Sequence, residues 1–174
     1  VADIRLGRIA GLELTAAPTV ALWSLALWAA LAGAGLFVLQ LPLFEALLGG
    51  FAAVALHPAA EFLHQYGHSI AARGTNYPMT GVRYWFVLGT SIYPPDELEL
   101  PATIHIRRAL GGPVISILAG AIAGIRALLL GGGGVLWWLL VFFAVENIAL
   151  FGLGAFLPLG FTDGSTLLTW WGRR

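Results

Sequence analysis

Long apolar runs separated by short polar breaks set the layout of this chain. Residues 18–44 carry no charged side chain, and a run of that length crosses the roughly 30 Å hydrocarbon core of a bilayer with some tilt. A second segment, from about Phe44 to Arg73, holds His57, Glu61, His64, Gln65 and His68 in an otherwise apolar background. A third follows Arg107 and Arg108 through "ALGGPVISILAGAIAGIRALLL", and a fourth reads "VLWWLLVFFAVENIALFGLGAFLPLGF". Between them Gly131 to Gly134 predict a turn, because a glycine run is entropically too costly to continue a helix. Pro158 and Gly160 loosen the end of the fourth run. The pattern predicts four spanning helices, the last broken ahead of Asp163.

Two stretches carry a different period. "DIRLGRIAGLEL" alternates apolar and polar residues around Gly7 and Gly11, which predicts a short hairpin lying against the membrane. "TGVRYWFVLGTSIYPP" is rich in aromatic and β-branched residues and predicts a second hairpin, with Gly89 as its turn. Its strand edge would either pair with an extended peptide or fold back to cover the bundle. The expected fold is an all-α polytopic membrane protein, a single domain over residues 1–174. It has about four transmembrane helices, with short β-hairpins at the N-terminus and between the second and third spans. No internal repeat is visible.

Composition supports this picture and narrows the function. The chain is 59% hydrophobic and only 10% charged, where an ordinary soluble domain is nearer a quarter charged. Its nine basic residues are all arginine and flank the apolar runs, so they are not a nucleic-acid surface. The absence of cysteine excludes disulfides and thiolate metal sites. The first apolar run is too long for a signal-peptide core. Arg5, Arg8, Arg73, Arg83, Arg107, Arg108, Arg173 and Arg174 all fall on one side of a four-span layout, and only Arg126 approaches the other. By the positive-inside rule both termini are expected in the cytoplasm, the membrane being the bacterial inner (cytoplasmic) membrane. The surrounding lipid bilayer, other membrane proteins or a membrane-spanning peptide are the expected partners.

The candidate chemistry lies in the second run. His64 and His68 stand four apart and share a helix face, so both can address one metal ion. His57 and Glu61 extend that face. Polar side chains at bilayer depth are costly, and this stripe is expected to face protein or water. His57 precedes Pro58, whose missing N–H predicts a kink, and it reads as structural. His105, beside the flanking arginines, reads as interfacial. A zinc site needs a third protein ligand, for which Asp163 in "FLPLGFTDGSTLL" is the candidate. Asp163 is equally a helix cap for the segment from Ser165 to Trp170.

"HQYGH", "ALGGPVISILAG" and "FLPLGFTDG", on successive spans, resemble the ordered motifs of the site-two proteases. These are intramembrane zinc metalloproteases with His-Glu-x-x-His, Ala-Gly-Pro-x-x-Asn and Leu-Pro-x-x-Pro-x-Asp-Gly segments. "IRLGRIAGLEL" is similar to that family's amino-terminal hairpin, so the resemblance runs from about Ile4 to Leu168. It implies zinc, with His64, His68 and Asp163 as ligands and Gln65 in the place of the catalytic glutamate. Ser116 and Ala155 stand where the family has asparagines that look like substrate or oxyanion hydrogen-bond donors.

Those departures shape the expected function. An amide orients water but does not accept its proton near neutral pH, and losing a general base costs on the order of two to four powers of ten in rate. The expectation is a catalytically impaired pseudoprotease, acting as a binding or accessory subunit of a membrane complex. Ala29, Ala30, Gly33 and Gly35 on the first span offer a surface for close helix packing. The alternative is an active intramembrane zinc metalloprotease, with Gln65 introduced by substitution or with Glu61 as the base. A third reading has no metal, and His64, His68 and Asp163 form a hydrogen-bonded polar core.

Overall fold

A computed structural model of the protein describes residues 2–173; Val1 and Arg174, one of the flanking arginines, lie outside the described residues. Four helices are long and apolar enough to cross a membrane. They are α1 (Val20–Phe37), α2 (Leu43–Arg73), α3 (Ala102–Leu130) and α4 (Gly134–Val145), the last continuing to Phe156. The protein is an integral membrane protein. The apolar run at residues 18–44 is longer than the helix it forms, because α1 stops at Phe37 and Pro42 opens α2. Pro fits there because the first turn of a helix has no use for its missing N–H. Pro58 lies inside α2, which continues to Arg73. Gly131 to Gly134 all have positive φ and form the expected turn.

The fourth span changes character halfway. After α4 comes a π-helical segment, Glu146–Leu153, then a 3-10 turn, Gly154–Phe156, and a loop leading to the short helix α5 (Asp163–Trp171). The wider π turn begins at the two strongly polar residues of this span, Glu146 and Asn147, both of them buried.

Strands β1 (Ile4–Ile9) and β2 (Leu12–Ala16) form the N-terminal hairpin, and β3 (Gly81–Trp85) and β4 (Leu88–Ile92) form the second. The two expected hairpins are both present and are parts of one sheet. They join into one sheet of order β1-β2-β3-β4 through a parallel pairing of β2 with β3, Leu14 opposite Val82. Leu12, Leu14 and Val82 pack with Ala72 and Met79 in a small core against the end of α2. The second hairpin turns at Phe86 and Val87, not at Gly89. Phe86 takes the left-handed conformation there, with φ 52°. Gly89 lies within β4, at the outer edge of the sheet.

Candidate metal centre

Helix periodicity carries the site. His57, Glu61, His64, Gln65 and His68 are all buried along α2, on the side that meets α3, the π segment and β4. The imidazoles need space on the neighbouring helix, and Gly112 of α3 provides it. A Cβ at that position would lie within 2.6 Å of both rings, on His68 Nε2 and His64 Cε1.

The structure brings His64, His68 and Asp163 together. The two imidazole Nε2 atoms are 3.0 Å apart. The Asp163 carboxylate divides between them, Oδ2 at 3.3 Å from His64 Nε2 and Oδ1 at 3.4 Å from His68 Nε2. Asp163 is the first residue of α5, after Thr162 at the helix cap, and its carboxylate is directed to the histidines. Each imidazole is held from behind. His68 Nδ1 lies 2.8 Å from the Arg108 carbonyl and 3.3 Å from the Gly112 N–H. The shorter contact, to an atom that only accepts, makes Nδ1 the donor, so its Nε2 presents a lone pair. His64 Nδ1 meets Ser116 Oγ at 3.1 Å, and Ser116 is fully buried.

Two proton arrangements satisfy this geometry. If the Ser116 hydroxyl accepts from His64, three acceptor groups converge with no hydrogen among them, which calls for a cation. If the hydroxyl donates, His64 Nε2 carries the hydrogen and shares it with Asp163 and His68. The spacing fits zinc: ligand atoms roughly 2.0–2.1 Å from a tetrahedral ion stand about 3.3–3.4 Å apart. The aspartate contacts have that length, and the two imidazoles are slightly closer.

Gln65 is next to the centre and fully engaged. Its Nε2 donates to Glu61 Oε1 at 2.9 Å and to the Gly89 carbonyl at 3.2 Å, while its Oε1 accepts from Ser91 Oγ at 2.7 Å. A cavity of ≈ 480 Å³ opens over the three candidate ligands, walled by β4 on one side and by the Leu157–Asp163 loop on the other. Glu61 and Ala155 line it; Ser116 lies behind His64 and does not. His105 lines the rim and stacks on Trp170 at 4.2 Å between ring centroids, apart from the ligands.

Several polar residues outside the sequence-based set complete the site. Arg108, buried, binds Glu97 through both terminal nitrogens at 2.9 and 2.6 Å, bonds the Tyr77 carbonyl and lies 4.0 Å above the Tyr93 ring. That pairing holds the Glu97 carboxyl below its usual range. Burial, with the nearby charge of Glu61, pushes the Tyr84 phenol well up. His57 hydrogen-bonds Glu146 through Nδ1 and the Val87 carbonyl through Nε2. Glu146 carries the single charge in the fourth span, a signal the sequence held: an ionisable residue inside a membrane segment marks a partner or a function.

No protein-family model matches the chain, and no curated protein does. Among solved structures it is similar to the site-2 protease from Methanocaldococcus jannaschii, with a TM-score of 0.66 and 19% sequence identity. The match covers 96% of this chain and 70% of that one. This membrane protein therefore has a fold like that of a site-2 protease.

Proposed function

We propose that this protein binds zinc through His64, His68 and Asp163 but does not hydrolyse peptide bonds efficiently, and serves as a binding or accessory subunit in its membrane. The observation that carries this reading is the state of Gln65. Its amide stands beside the candidate ligands with every hydrogen-bonding group committed to Glu61, Gly89 and Ser91. An amide so held is too weakly basic to take a proton from water. Zinc, when bound, acidifies its water and polarises a carbonyl, leaving at best residual activity without a base. The arginine distribution supports a cytoplasmic position for both termini. His68 and His64 lie about 7 and 13 Å along α2 from Arg73, within reach of that surface.

Metal analysis of the purified chain, with a cleavage assay on a membrane-spanning substrate, tests the reading. It requires close to one zinc per chain and no cleavage above background. Robust, chelator-sensitive proteolysis would overturn it. A second reading, proteolysis with Glu61 as base, draws on the presence of Glu61 in the same cavity wall. It requires that Glu61→Gln abolish cleavage without loss of zinc.

A further inference from the structure

The polar stripe of α2 and the outer edge of β4 run side by side with matching periods. Four residues of helix advance about 6 Å, and two residues of strand advance about 6.7 Å. His57, Glu61 and Gln65 thereby meet residues 87, 89 and 91 in turn. His57 Nε2 donates to the Val87 carbonyl. The Glu61 carboxylate packs on Gly89 and faces its N–H. Gln65 donates to the Gly89 carbonyl and accepts from the Ser91 hydroxyl.

Gly89 is the centre of this contact. The Ile92 carbonyl bonds Thr80, on the β3 side, and strand alternation then turns Ser91 and Gly89 outward. The outward carbonyl of Gly89 is taken by Gln65 and its outward N–H faces the Glu61 carboxylate, the donor and acceptor that an adjacent strand residue would offer. Glycine is needed for the approach, since a Cβ there would lie 2.8 Å from Glu61 Oε1.

We propose that His57, Glu61 and Gln65 act as a side-chain strand that caps β4 and closes this edge to an extended peptide. An uncapped edge is a template for strand addition, and its unpaired groups are expensive near the bilayer. Glutamine is what completes the cap. Its Nε2 supplies the hydrogen for the Gly89 carbonyl, whereas an ionised glutamate has none and would face Glu61 as a like charge. Gln65 thus does more than lack a base; it holds the peptide-pairing edge shut. This rests on the reading of Gln65 as non-catalytic, but its test reads the strand and not the hydrolysis.

Amide hydrogen exchange on the full chain in lipid nanodiscs gives the first readout. The Gly89 amide should exchange as slowly as that of Thr90, which faces β3, although Gly89 is on the sheet's outer edge. The second readout is photocrosslinking to a terminally blocked (Thr-Val)3 peptide carrying one diazirine residue. Labelling of β4 should be near background in the native chain and rise roughly tenfold in Gln65→Leu, which removes the donor and the Ser91 acceptor. Fast exchange of the Gly89 amide in the native chain would overturn the cap, and needs no variant to fold. Equal crosslinking of the native chain and Gln65→Leu would overturn it too. Peptide products in the native sample would count against the non-hydrolytic reading and are scored separately from the crosslink.

Discussion

Glu146 of the π segment hydrogen-bonds His57 of α2, and 89 residues of chain separate these two partners. Both are buried, and Glu146 Oε2 has no partner of its own among the described residues. The pair is one of the few polar ties between α2 and the fourth span. Removing one member leaves the other buried alone, which costs about 3–5 kcal/mol. Glu146→Leu should lower stability by that order in a detergent unfolding titration. The double variant His57→Leu with Glu146→Leu should recover most of the loss.

Ser116 should matter for metal affinity, although it is distant from any open face of the ion. Its hydroxyl orients the His64 imidazole from behind. Loss of such an outer partner usually weakens metal binding 10–100-fold. Ser116→Ala should show that loss in chelator competition with folding intact, and Ser116→Thr should keep most of the affinity. Unchanged affinity would show that the Ser116 contact does not orient His64 for the metal.

Gly112→Ala places a methyl group against both imidazoles. Overpacking of this kind costs typically about 1–3 kcal/mol. Here it should also displace the two Nε2 atoms, so that zinc stoichiometry falls together with melting temperature. Gly33→Ala, which meets open space inside α1, is the control and should leave zinc stoichiometry unchanged without lowering the melting temperature.

Glu97 gives a pH dependence outside the membrane spans. Arg108 lowers its pKa in the folded protein from the ordinary 4.5. The pairing therefore contributes stability in full above that value and loses it as pH falls through the folded pKa. Glu97→Gln should destabilise the chain at neutral pH, and the gap from the native chain should narrow on acidification. A gap that widens toward low pH would contradict the assignment.

The polar side of α2 was legible in the sequence because it obeys one local rule: 57, 61, 64 and 68 recur on one helix face. Asp163 was legible as an acid at a broken helix end and through motif order, but no local period connects residue 163 with residue 64. The joining of the hairpins was not legible, because parallel pairing of Leu14 with Val82 leaves no pattern in either strand. Gly89 was misread as a turn for a physical reason. Glycine serves tight turns and close approaches alike, and here the approach of Glu61 was the operative one. The turn fell to Phe86, a residue with no preference for positive φ. Glu146 went unread because its meaning depends on His57, far away in the chain.

The parallel pairing of β2 with β3 has a consequence for how the chain enters its membrane. Two crossings, α1 and α2, separate the strands. They can meet only if the chain has gone through the bilayer and returned, so that both hairpins lie at the same surface. A molecule that inserted α2 but failed to insert α1 would leave β2 and β3 on opposite sides and could not form the sheet. The small core of Leu12, Leu14 and Val82 would stay open to water in that molecule. Sheet closure thus works as a check on topology that needs only the first two spans, whereas Asp163 reaches the histidines only after the fourth.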